Sequence, residues 1–147
     1  TTTHVLATRL SLSTCVKGRA QSAMIEDLVG LKWQDNELDC VKLMVKAQRE
    51  IWDRNICASK EYTYSRDDIK DVSKNIIDEI EKIAYKVNQP KEGDVAILNI
   101  CGGLHVVTFI SDFEILHIFE DHTSRISRYT RPYKRRTVAV YRFKEMR

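Results

Sequence analysis

Apolar residues recur at helical spacing in the first half of the chain and alternate in the second. Cys40, Leu43, Met44, Ala47 and Ile51 fall at i, i+3, i+4, i+7 and i+11, which is one face of a helix. The run from Val41 to Trp52 holds no Gly or Pro, and Asp39 is of the type that caps a helix by accepting a backbone N–H. A helix is therefore expected from Cys40 to about Asn55. A second is expected over Asp67 to Val87, where Ile69, Val72, Ile76, Ile80, Ile83 and Val87 keep the same period and Ser65 stands as the cap. Asn88-Gln89-Pro90 ends it. Beyond Pro90 the period drops to two. Strands are expected at Asp94 to Ile100, Leu104 to Ile110, Glu114 to Phe119, Arg125 to Tyr129 and Thr137 to Phe143, with turns at Cys101-Gly102-Gly103 and Ser111-Asp112-Phe113. Helices followed by a run of strands predict an α+β domain with an antiparallel sheet of about five strands.

The texture changes at Met24. Residues 1 to 23 are rich in Thr and Ser and read as an N-terminal extension. Met24 to Gly30 reads as a short amphipathic helix opening a single domain that spans residues 24 to 147. A chain of 147 residues, 43% hydrophobic and 31% charged, can bury a core of its own. No apolar run approaches the roughly 18–20 residues of a membrane span. Thr1 to Ala23 lacks the apolar stretch of a signal peptide, so synthesis in the cytoplasm is expected. The four cysteines, Cys15, Cys40, Cys57 and Cys101, form no close pair, and all are expected to be reduced thiols.

Placement gives Cys40 chemical interest. A thiol at a helix N-terminus is expected to ionise more easily than a free one. Two histidines lie on neighbouring expected strands, His105 and His117. If Ser111 to Phe113 form a three-residue hairpin loop, Val107 faces His117 and His105 faces Phe119. The two histidines then share a sheet face as diagonal neighbours about 7–8 Å apart. A two-residue loop would put them on opposite faces. Cys, His and a polar group that orients the His are the parts of a thiol hydrolase: Cys40 attacks, His105 moves the proton and His117 holds His105.

Four segments then resemble the NlpC/P60 family of papain-like cell-wall peptidases. Gly30-Leu31-Lys32-Trp33 leading into Asp39-Cys40 is similar to the family's approach to its Asp-Cys pair. Glu92-Gly93-Asp94-Val95-Ala96-Ile97, followed by His105-Val106-Val107, resembles its Gly-Asp strand and its His strand. Ile115-Leu116-His117 resembles the segment carrying its third polar residue, and Val138 to Phe143 its closing strand. The resemblance implies a papain-like fold, a Cys40 nucleophile, a His105 base and an orienting His117. It also implies cleavage of an amide in peptidoglycan stem peptides, with no metal and no cofactor. Trp33 and Asp39 are its candidates for lining the substrate site. Members of this compact kind are associated with phage tails, which implies other tail proteins as partners and delivery to the wall by the virion. Two departures stand beside the match. Gln34-Asp35-Asn36 occupies the place of a Gly-Gly pair, and Val41-Lys42 that of Ser-Gly after the cysteine. They keep open a structural tail protein on a peptidase-like fold, as well as a papain-like amidase, deamidase, acyltransferase or toxin with another substrate.

The net charge of +3 is mild, but Arg125, Arg128, Arg131, Lys134, Arg135 and Arg136 crowd one stretch. An anionic partner is one reading of it, and a solvated β-hairpin is another. Cys101, His105, His117 and Cys40 do not have the close ligand pairs of a structural zinc site.

Overall fold

The computed structural model describes residues 10–14, 24–58 and 75–144. Asp39 caps the first helix, α1 (Cys40–Trp52), its carboxylate accepting the Lys42 N–H at 2.9 Å. The helix stops where Asp53 turns left-handed, at φ 54°, a conformation that ends helices. It buries Val41, Leu43, Met44, Ala47 and Gln48. Before it, Ile25–Leu28 is a single 3-10 turn rather than a longer helix, with Leu28 fully buried.

Strands β1 (Leu12–Thr14) and β2 (Ile56–Ala58) pair antiparallel, Ser13 opposite Cys57. Leu10 and Leu12 are buried in the main core beside Val41, Met44 and Ile80. Leu10 accepts a bond from the Asn75 side chain at 2.6 Å through its carbonyl, and the Leu12 N–H donates to buried Glu79 at 3.2 Å. Residues 10–14 are thus part of the packed domain, inside the stretch the composition set apart as an extension. Cys57 is disulfide-bonded while Cys40 and Cys101 are free thiols, which corrects the expectation of four reduced cysteines.

The second expected helix is shorter than its apolar period. Within the described residues it is α2 (Ile76–Ile83), and Ala84–Val87 is strand β3. Its expected start, Ser65 to Lys74, lies outside the described residues. Pairing decides where it ends: Ala84 lies opposite Phe143 and Val87 opposite Val140, so the backbone groups of this segment join a sheet instead of closing another helical turn. The strands after Pro90 stand close to where alternation put them: β4 (Val95–Ile100), β5 (Gly103–Ser111), β6 (Glu114–His117), β7 (Arg125–Arg128) and β8 (Thr137–Phe143). With β3 they form one six-stranded antiparallel sheet in the order β3-β8-β4-β5-β6-β7. The fold is α+β.

Both faces of the sheet are covered. Val95, Ile97, Val106 and Tyr141 pack with α1 and α2. Ala96, Leu98, Val107, Phe109, Ile115 and Val140 form a second core on the other side with Tyr129 and Tyr133. Tyr133 belongs to a helix the apolar pattern did not show, α3 (Arg131–Arg136), with Pro in its first turn. Asp94 closes the turn into β4. Its buried carboxylate accepts the Lys91 N–H at 2.8 Å and a two-pronged bond from Arg142, at 3.0 and 2.9 Å. Among the described residues no helix is long and apolar enough to cross a membrane.

Candidate active site

The hairpin β5–β6 sets the two histidines. Its turn holds two residues, since Ser111 lies opposite Glu114. That turn alone would send His105 and His117 to opposite faces. A register shift between Phe109 and Ser111 restores the phase, so Phe109 faces Ile115 and Thr108 faces Leu116. His105 and His117 therefore emerge on one face, together with Val107, Phe109 and Ile115. Their rings meet edge to face with centroids 6.0 Å apart. Phe119 lies against both, stacked on His105 at 4.8 Å and edge-on to His117 at 5.0 Å. Tyr133 of α3 closes the other side of His117 at 5.6 Å.

Both histidines are buried. Burial, with the neighbouring His117, pushes the His105 pKa down to about 3. Burial, with the nearby Arg125 cation, pushes that of His117 down to about 4. Both are neutral at physiological pH. His117 Nε2 is 2.8 Å from Ser127 Oγ on β7. His105 Nε2 and His117 Nδ1 are buried without a hydrogen-bond partner.

Cys40 opens α1, as the helical period requires. Burial of the thiol, reinforced by the Asp39 carboxylate, raises its pKa to about 12, against the pull of the Val106, Val41 and Cys40 backbone amides. The expectation of an easily ionised thiol is overturned: desolvation outweighs the helix terminus. The cysteine packs against the same core as Leu104 and Val106, which face α1. His105 lies between them in sequence and so leaves on the opposite face of β5. Thiol and ring therefore approach the same strand from its two sides, and no hydrogen bond joins them. The structure brings His105 and His117 together, and it brings Cys40 to the backbone of the next residue along.

The remaining two candidates sit at the entry to α1. Asp39 is buried and serves as the helix cap. Trp33 is half-buried, its indole N–H donating to Asp35 at 2.7 Å and its ring packed against the core beside Cys40. Between them Asn36 has φ 65°, the left-handed region that Gly, and less often Asn, adopts. It supplies a tight turn in the loop between Trp33 and Asp39. Sequence reasoning set Phe119 opposite His105 and missed Ser127 and Tyr133 as parts of this site. Ser127 had a legible signal, lying two residues beyond Arg125 on a strand that alternation had located.

No protein-family model matches the chain, and no curated protein sequence matches it.

Proposed function

We propose that this chain is a cysteine hydrolase of the papain-like NlpC/P60 type that cleaves an amide bond in peptidoglycan stem peptides. The supporting observation is the pair of buried neutral imidazoles on β5 and β6, one residue along the strand from the amide that holds the Cys40 thiol. In the proposed cycle Cys40 Sγ attacks the carbonyl carbon and its proton passes to His105. His105 then protonates the departing amine, leaving a thioester, and water taken through the same base releases the acid and restores the thiol. In this reading the Cys40 backbone N–H at the helix start, with the Val41 and Val106 amides near the sulfur, would hold the developing oxyanion. Because thiol and ring lie on opposite sides of β5 and are unbonded at rest, the cycle requires a rearrangement of β5 on substrate binding that brings the His105 ring to the Cys40 side. The reading carries with it delivery to the wall by a phage tail, with other tail proteins as partners.

The test is incubation with purified stem peptides and detection of new amino termini by mass spectrometry. Cleavage by the wild type that is lost in Cys40→Ala and in His105→Ala supports the reading. Intact peptides, or cleavage that survives Cys40→Ala, overturn it. The high thiol pKa and the missing thiol-to-ring bond favour a second reading, a structural tail protein on a peptidase-like fold, which intact peptides would support.

The basic stretch supports an anionic partner without bases. Arg125, Arg128, Arg131, Lys134, Arg135 and Arg136 are all exposed, and no ion pair ties them to an acid among the described residues. The two tyrosines among them are turned inward. Tyr129 is buried with its hydroxyl 2.5 Å from Thr137 Oγ1, and Tyr133 lies against His117. Neither offers a stacking platform for nucleobases, which leaves a phosphate-rich wall polymer as the better fit.

A further inference from the structure

We propose that the cleft between α3, the tip of the β5–β6 hairpin and the loop joining β3 to β4 binds a small organic anion with an apolar body. The cleft has a volume of about 540 Å³, within the roughly 300–1,000 Å³ of small-molecule sites. None of Cys40, His105 and His117 lines it, so this site does not depend on the hydrolase reading. Its depth is hydrocarbon. Tyr129 and Val140 line it, are each 9% exposed and belong to the second core. The Tyr129 hydroxyl is paired with Thr137 Oγ1, so the polar tip of that ring already has its partner.

The rim carries the charge. Lys91 lines it from the loop and Lys134 from α3, against a single acid, Asp112. Both lysines are exposed, and among the described residues neither ammonium meets a carboxylate. The Lys134 ammonium lies 5.8 Å from the centre of the Tyr129 ring, so one cation stands over the apolar floor. A ligand seated there meets hydrocarbon and positive charge together. An inorganic anion would leave the floor unfilled, and a neutral hydrocarbon would leave the lysines unpaired. The walls are held by the protein's own bonds. The Tyr129 N–H donates to the Phe113 carbonyl at 2.7 Å, Arg142 donates to the Gln89 carbonyl at 3.4 Å, and the Lys91 N–H donates to the Asp94 carboxylate at 2.8 Å. The cleft is thus formed in advance, and little ordering opposes binding.

The test is a ¹H–¹⁵N NMR titration of the intact chain with phenyl phosphate. Inorganic phosphate and benzyl alcohol, which keep only the charge or only the ring, serve as controls. The expected result is saturable shifts of the Lys91, Tyr129 and Lys134 amides, with phenyl phosphate binding at least about tenfold more tightly than either control. Nuclear Overhauser effects should join the phenyl protons to the Val140 methyl groups. Lys91→Ala and Lys134→Ala should each weaken binding by about two- to fivefold while distant amides keep their positions, since both side chains are exposed. Inorganic phosphate binding as tightly as phenyl phosphate, or a loss in Arg135→Ala equal to that in Lys134→Ala, would assign the effect to the basic stretch as a whole and overturn the proposal. Shifts that do not saturate, or a phenyl ring that shows no contact with Val140, would overturn it as well.

Discussion

The ring of His105 lies flat on that of Phe119, the two planes 8° apart and their centroids separated by 4.8 Å. The stack covers one face of the imidazole with hydrocarbon, and burial is the main reason the ring stays neutral. Phe119→Ala should admit water to that face and move the His105 pKa upward from about 3 toward its ordinary 6.5. An NMR titration of the ring protons would measure it. An unchanged His105 in Phe119→Ala would show that the neutral state comes from the strand and not from the stack.

Two buried neutral histidines make the fold sensitive to acid. Both have folded-state pKa values below the ordinary 6.5, so the unfolded chain takes up protons first as pH falls. Their contribution is complete above about pH 6.5. It is lost as pH falls toward 4 and then 3, at up to about 1.4 kcal/mol per pH unit for each ring. Urea midpoints collected at steps from neutral pH down to about 4 should decline over that window, and less so in His117→Gln. A midpoint that holds steady until carboxylates titrate would contradict the burial of these rings.

The two free thiols should differ in reactivity. Cys101 is exposed at the β4–β5 turn, whereas the Cys40 thiol holds its proton to about 12. At neutral pH a small alkylating agent should label Cys101 first and Cys40 slowly, the Cys40 rate rising as the solution becomes alkaline. Peptide mapping by mass spectrometry would separate the sites. Rapid neutral labelling of Cys40 that is lost in His105→Ala would instead reveal a thiolate–imidazolium pair formed without substrate.

Asp94 and Arg142 bind across two strands through paired bonds, with the carboxylate buried. Arg142→Ala leaves that charge without its cation and should cost about 2–4 kcal/mol. Replacing Asp94 as well should recover part of the loss, because the stranded charge is then gone. Chemical denaturation of the two single variants and the double variant tests this. Additive losses would mean that the pair contributes nothing beyond its separate members.

Leu10 is fully buried. Leu10→Ala should lower stability by about 2–5 kcal/mol, the usual cost of hollowing a core position. A change within about 0.5 kcal/mol, as for a surface site, would return residues 10–14 to the status of an appendage.

What the sequence made legible was local. Asp39 caps through a contact three residues long, so the start of α1 and the position of Cys40 could be read from spacing. The five strands after Pro90 alternate strongly enough to be placed within a residue or two, the largest difference being β6, which stops at His117. What escaped depends on partners far away. Ile83 and Val87 both fit a helical stripe, and only the pairing of Ala84–Val87 with β8 makes that segment a strand. The α3 helix has no apolar stripe, because Arg131, Lys134, Arg135 and Arg136 surround its one inward aromatic, Tyr133. β1 is three residues long and finds its partner at Ile56–Ala58, beyond the reach of any local period. The sides of β5 are the instructive case. Alternation correctly joins His105 to His117, and the same alternation sends the ring away from Val106, against whose amide the thiol rests.

The shift between Phe109 and Ser111 gives the β5–β6 hairpin a tolerance unlike that of an ordinary surface loop. Its two tip residues, Asp112 and Phe113, are exposed, so many side chains should be accepted there. Their number is another matter. One residue gained or lost, usually the mildest change such a loop can suffer, would rotate β6 by half a period. His117 would pass to the α1 side, and Leu116 would leave the core it fills there. Among relatives that keep the paired rings, this hairpin should therefore drift freely in composition while staying fixed in length.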